Sequence, residues 1–135
     1  MKVESVAALH AARAAEKQQA LYYRALASHA ESVGAVETAE RLDGLHADEQ
    51  HHLSRLSARL VELGQAIEDL SGAAAPEAEF ANWESDARMR EHEEVVRYEA
   101  LLRMELDERT AHMIREFLEA ERRHERELGG KWMRA

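Results

Sequence analysis

Apolar residues recur every three to four positions along most of the chain, which is the period of one face of an α-helix. Gly34 lies at the first predicted turn, Pro76 suits the first position of the third helix, and Asp107 is a candidate N-cap of the fourth. The pattern predicts an all-α fold with four helices, over about residues 3–31, 35–63, 76–104 and 108–128.

The stretch GQAIEDLSGAAAP is the only loop-like segment of any length, and it connects the second predicted helix to the third. At ~3.3 Å per extended residue, its 13 residues could just cross a helical bundle from end to end. A crossover connection and a simple up-and-down chain are therefore both possible.

Each predicted helix carries a glutamate within its apolar face, at helical spacing from apolar neighbours. On the second and fourth helices a histidine follows the glutamate by three residues, so that both Glu-x-x-His pairs point inward. The inward polar residues are Glu16, Glu49, His52, Glu91, Glu121 and His124.

The two halves of the chain repeat this arrangement. Tyr23 follows Glu16 by seven residues and Tyr98 follows Glu91 by seven, and each of these helices precedes one with a Glu-x-x-His pair. The paired acids lie at matched distances from their turns, roughly 22–25 Å at about 1.5 Å per helical residue. We therefore expect a duplicated helical hairpin with its acids at one level.

Inward carboxylates need a positive partner. An unpaired carboxylate moved out of water costs several kcal/mol, and four would offset most of a typical ~5–15 kcal/mol of folding stability. The inward faces offer no arginine or lysine, which favours a metal. Four carboxylates and two imidazoles are the ligand set that holds two iron or manganese ions between four helices.

Length and charge bound the remaining possibilities. The 135 residues suit a single domain, residues 1–135, and the net charge of −9 with interleaved basic residues argues against a nucleic-acid partner. The absence of cysteine excludes disulfides and cysteine-ligated iron.

No apolar run suits a signal peptide or a membrane span, so a cytoplasmic protein without a membrane partner is expected. Charged exteriors such as ERRHEREL are expected to be solvated.

With these features the sequence resembles the ferritin-like superfamily, and within it the rubrerythrin and bacterioferritin type. The resemblance covers about residues 9–128, and the matching stretches are EKQQALYY, ADEQHHL, REHEEVVRY and LDERTAHMIREFLEAERRH. It implies a ferritin-like four-helix bundle built from two similar hairpins.

The resemblance also implies a role for each candidate ligand. Glu49 and Glu121 would bridge two metal ions, Glu16 and Glu91 would be terminal ligands, and the histidines of the two Glu-x-x-His pairs would each bind one ion through a ring nitrogen. The same four glutamates are the candidate catalytic residues.

Three further residues on the predicted helices are candidates at this site. Glu94 is an alternative ligand one turn beyond Glu91, although the additional glutamate of rubrerythrin-like sites lies on the side where this chain has Arg88. Tyr23 and Tyr98 are candidates for hydrogen bonds to the ligating carboxylates.

The implied activity is oxidation of ferrous iron coupled to reduction of hydrogen peroxide or dioxygen, as in a rubrerythrin-like peroxidase or a ferroxidase. Because the chain has no cysteine-ligated iron, electrons would come from an external donor. Only GGKWMRA follows the fourth helix, which favours a homodimer or small homo-oligomer over a storage cage. The alternatives are an iron-storage protein and a metal-free helical interaction module whose acids pair with arginines such as Arg88.

Overall fold

The computed structural model describes residues 1–130, which form four helices and no strand. The helices are α1 (Val3–Ser32), α2 (Val36–Glu62), α3 (Trp83–Leu102) and α4 (Glu108–Leu128). The all-α fold class is confirmed, and both ends of α1, α2 and α4 lie within one residue of the predicted boundaries. None of the helices in residues 1–130 contains an apolar stretch of bilayer-spanning length.

The third helix begins later than predicted. It was expected near Pro76, but α3 starts at Trp83 and ends at Leu102. Phe80 packs its ring 4.6 Å from the ring of His29, and the Trp83 indole lies 5.2 Å from the Arg41 guanidinium carbon. These contacts with α1 and α2 hold residues 76–82 outside a helix, because tertiary packing overrides a weak local propensity.

The linker between α2 and α3 (residues 63–82) runs back along the hairpin of α1 and α2. The Arg13 guanidinium donates through Nη1 to the Glu68 carbonyl at 2.9 Å, and Phe80 contacts His29 further along. Arg13 and His29 are 16 residues apart on α1, or about 24 Å at the helical rise. The linker therefore crosses the length of this hairpin, which is the crossover alternative.

The chain divides into two compact units, and α1 contributes to both. The unit of residues 13–83 contains most of α1, all of α2 and the linker. Its core is formed by buried tyrosines and leucines of the two helices, and the Tyr22 and Tyr23 rings meet edge to face at 5.4 Å. His46 lies with Nδ1 2.8 Å from the Ala20 carbonyl, which fixes the pairing of α2 with α1.

The other unit joins residues 1–12 to α3 and α4. Tyr98 and Phe117 pack with ring centroids 5.8 Å apart in its core. At its edge the Ser5 hydroxyl donates to the Glu105 carbonyl at 2.7 Å, which ties the start of α1 to the turn between α3 and α4. Lys131 to Ala135, including Trp132, lie outside the described residues.

Candidate metal centre

The unit of residues 13–83 contains a buried group of three side chains that could hold a metal ion, here called the first triad: Glu16 of α1 with Glu49 and His52 of α2. Their exposures are 0%, 0% and 4%. His52 donates from Nδ1 to Glu16 Oε2 at 2.7 Å, and the same nitrogen lies 3.7 Å from Glu49 Oε1. One ligand atom from each residue lies within 4.8 Å of those of the other two.

Local sequence explains how this triad forms. Residues three apart on a helix share a face, so Glu49 and His52 project together from the leucine-rich side of α2. The turn before α2 contains Gly34 at a φ of +76°, a conformation that glycine adopts without steric cost. With this short turn, Glu16 is brought beside the Glu-x-x-His pair.

The unit that contains α3 and α4 carries a second triad of the same composition: Glu91 of α3 with Glu121 and His124 of α4. All three side chains are buried, with at most 2% exposed. His124 donates from Nδ1 to Glu91 Oε1 at 2.9 Å, and Glu121 Oε1 lies 3.1 Å from the same nitrogen. Here too, one ligand atom from each residue lies within 4.8 Å of the others.

The turn before α4 positions the second triad. The Asp107 carboxylate accepts a hydrogen bond from the Thr110 amide at 2.8 Å, which satisfies one of the unpaired amide donors at the start of the helix. This cap confirms the predicted beginning of α4. From that point, regular helical spacing carries Glu121 and His124 to the buried face.

The two triads match contact for contact. In each one a glutamate from the first helix of a hairpin accepts a hydrogen bond from the histidine of the second helix, and the nitrogen involved is Nδ1 both times. The predicted repetition of the two halves is therefore visible in the hydrogen bonds. It extends to the choice of ring nitrogen, which the sequence does not specify.

The donor set of each triad fits a divalent metal ion. Two carboxylates and one imidazole carry a formal charge of −2, or −1 when the histidine is protonated, so a dication would offset the buried charge. Oxygen and imidazole ligands suit iron and manganese, and a site without sulfur ligands does not favour soft metal ions such as Cu(I). An ion bound through Nδ1 would take the place of the Nδ1 proton, because a ring nitrogen must be deprotonated to bind a metal.

A comparison with known protein families identifies the family of this chain. The family model described as Rubrerythrin matches residues 7–130, a span that includes both triads. The chain belongs to the rubrerythrin family. No curated protein gave a match, and no solved structure did. Membership of the rubrerythrin family agrees with the all-α, ferritin-like architecture that the sequence predicts.

The remaining residues predicted at this rubrerythrin-family site are also buried. Glu94 is 3% exposed, and its Oε1 lies 3.7 Å from Arg97 Nε. In the described residues Glu94 does not join the grouped ligand atoms, so its role as a ligand stays an alternative. Tyr23 and Tyr98 are fully buried, and their hydrogen bonds to ligating carboxylates stay a prediction.

Arg88 does not supply the counter-charge proposed for a metal-free interaction module. Its side chain is exposed, and its guanidinium lies beside Gly129, at the C-terminal end of α4. The two are so close that a Cβ added to Gly129 would be 3.4 Å from Arg88 Cζ. This arginine therefore covers the C-terminal end of a helix, while Glu91, one turn further along α3, is buried.

Proposed function

We propose that the chain binds two metal ions, one held by each triad, and that the ions are iron, with manganese as the alternative. The observation that carries this proposal is the matched pair of buried triads, each with histidine Nδ1 2.7–2.9 Å from a glutamate of the neighbouring helix. Rubrerythrin-family membership supports it. By the same resemblance, Glu49 and Glu121 would hold both ions, and Glu16 and Glu91 would each hold one.

The proposed activity is that of a rubrerythrin-like peroxidase or a ferroxidase. A pair of ferrous ions held by these residues would supply two electrons, enough with two protons to reduce hydrogen peroxide to two waters or to begin the reduction of dioxygen. The four glutamates would bind the ions and balance their charge, and the two histidines would fix their positions. Burial of all six side chains limits the access of water to the reacting groups.

The reaction needs electrons from outside the chain. No cysteine is available to hold an iron centre of the kind that could pass electrons to the triads. We therefore include an external electron donor in the proposal, together with a homodimer or small homo-oligomer in solution. Solution scattering from a large hollow particle would favour iron storage instead.

Metal content tests the proposed centre. The purified protein would be loaded anaerobically with ferrous ions and desalted, and bound iron would be measured by elemental analysis. We expect about two ions per chain, which is the number held by four-helix bundle proteins with a dinuclear carboxylate site. Glu49→Ala is expected to lose most of this iron, whereas Glu40→Ala, at an exposed glutamate of the same helix, should retain it. Equal retention in both variants would contradict the assignment.

Oxidation kinetics test the activity. The reduced, iron-loaded protein would be mixed with hydrogen peroxide or with dioxygen in separate stopped-flow experiments, and formation of ferric iron would be followed by absorbance. Faster oxidation by peroxide supports a peroxidase, and faster oxidation by dioxygen supports a ferroxidase. If oxidation of bound iron is no faster than that of ferrous ions in buffer, both proposals fail.

A further inference from the structure

A cleft of about 210 Å³ in the unit of α3 and α4 is lined mainly by arginines. Arg88 of α3 and Arg122, Glu125 and Arg126 of α4 form its walls, so three cationic side chains face one carboxylate. Arg122 and Arg126 are four residues apart on one helix, a spacing at which like charges destabilise the helix. Such a concentration of positive charge is notable in a chain with a net charge of −9.

The charges in this arginine cleft are not balanced by the part of the chain that the structure describes. The Glu125 carboxylate lies 3.2 Å from His92 Nδ1, and Arg122 donates through Nη2 to Glu99 at 3.0 Å. Within residues 1–130, neither Arg88 nor Arg126 forms an ion pair with another side chain. Two guanidinium groups therefore line the cleft with their donors available to a ligand.

A larger cavity, in the hairpin of α1 and α2, has cationic and acidic residues in equal number. It has a volume of about 390 Å³, and its lining includes two cationic side chains, Arg13 and Lys17, and two acidic residues, Glu68 and Asp69. Arg13 also donates to Ser57 Oγ at 2.7 Å and to the Glu68 carbonyl. Its charges are matched and its arginine is engaged in the fold, so this cavity does not indicate an anionic ligand.

We propose that the arginine cleft binds a small tetrahedral oxyanion, either free phosphate or the phosphate group of a small monoester. Arginine is suited to this ligand because its planar guanidinium presents several donors and pairs with phosphate oxygens in bidentate geometry. The cleft is smaller than the roughly 300–1,000 Å³ of pockets that enclose whole drug-sized ligands, which fits one anionic group. The proposal is independent of the metal centre.

The direct test is titration of the metal-free protein, residues 1–135, with inorganic phosphate in an isothermal calorimeter. Ionic strength would be low and held constant with chloride, so that general charge screening is the same throughout. We expect one saturable site per chain. Arg88→Ala and Arg126→Ala should each weaken binding roughly tenfold, because each removes a charge-assisted hydrogen bond.

Arg103→Ala is the matched control, since Arg103 is an exposed arginine just beyond the end of α3 and does not line the cleft. It should leave the phosphate affinity unchanged. Circular dichroism would establish that each variant is folded, and Arg88→Ala and Arg126→Ala test the same cleft independently. Absence of saturable binding, or an equal loss of affinity in Arg103→Ala, would overturn the proposal.

A parallel titration with glycerol phosphate distinguishes the two sources of the anion. Binding as tight as that of inorganic phosphate would identify a monoester site, because the cleft then tolerates the attached organic group. Binding of inorganic phosphate alone would identify a site for the free ion. Either result supports the cleft as an oxyanion site, provided that Arg88→Ala and Arg126→Ala reduce the binding.

Discussion

His52 Nδ1 lies 2.7 Å from Glu16 Oε2, although the two residues are 36 positions apart in sequence and belong to different helices. The contact joins α1 to α2 inside the core, where both side chains are almost completely buried. A short, buried contact between an imidazole and a carboxylate positions both groups within reach of a common ion. His124 and Glu91 repeat this relationship in the other hairpin.

Replacing His52 should impair metal binding, while replacing its neighbour should not. His52 is buried and faces Glu16, whereas His51 is exposed on the same helix. We expect His52→Ala to reduce ferrous ion affinity at least tenfold, since loss of a ligand should cost no less than the ~10–100-fold loss measured for groups that merely support one. His51→Ala should bind iron normally in an anaerobic equilibrium titration. Indistinguishable affinities in the two variants would remove His52 from the ligand set.

Glu49 should destabilise the metal-free protein and stabilise the loaded one. Glu49 is fully buried between leucines of α2, so Glu49→Leu should raise the free energy of unfolding without metal by about 1–3 kcal/mol. A metal that binds only the folded state stabilises it, by ~2.7 kcal/mol at a hundred times the dissociation constant. Metal should therefore stabilise the natural chain and have little effect on the variant.

Thermal and urea unfolding, each with and without manganese, would measure both effects. Glu40→Leu is the control, because Glu40 is exposed on the same helix and its replacement should change stability by less than about 0.5 kcal/mol. A metal-free Glu49→Leu variant that is less stable than the natural chain would show that the carboxylate supports the fold without an ion.

Much of this architecture could be predicted from local sequence. The 3.6-residue period, Gly34 and Asp107 define α1, α2 and α4, because caps and turns depend on neighbouring residues. The inward orientation predicted for Glu49 and Glu121 agrees with their burial, because each interrupts an apolar face of its helix. Their role as metal ligands stays a prediction.

The start of α3 and the course of the linker were not predictable in the same way. They depend on Phe80 meeting His29 and on Trp83 meeting Arg41, partners that are 51 and 42 residues away in sequence. Local propensity contains no information about such contacts. The arginine cleft was missed for a similar reason, because ERRHEREL appears mixed in charge until α3 contributes Arg88 beside it.

The N-cap of α4 offers a test of how the second triad is supported. Asp107 accepts a hydrogen bond from the Thr110 amide, and Asp107→Ala should lower the free energy of unfolding by about 1 kcal/mol. Asp107→Asn keeps an acceptor at this position and should stay within a few tenths of the natural value. Urea unfolding of the three proteins measures the difference. Equal stabilities of the alanine and asparagine variants would show that the cap contributes nothing.

Arg13 attaches the crossing linker to the first hairpin. Its side chain is only 9% exposed, and it donates to Ser57 Oγ at 2.7 Å and to the Glu68 carbonyl at 2.9 Å. Both acceptors lose their partner in Arg13→Ala, and the aliphatic part of the side chain is lost from the packing. We therefore expect the free energy of unfolding to fall by about 1–3 kcal/mol.

The same substitution should release the linker before the helices unfold. Limited proteolysis of Arg13→Ala under native conditions should cut within residues 63–82 faster than it cuts the natural chain, because proteases act on locally open segments. Arg24→Ala is the control, since Arg24 is exposed and its nearest acid, Glu31, is 4.0 Å away, where an ion pair contributes little. Unchanged cleavage of the linker in Arg13→Ala would mean that Phe80 and Trp83 hold the crossing segment without help from Arg13.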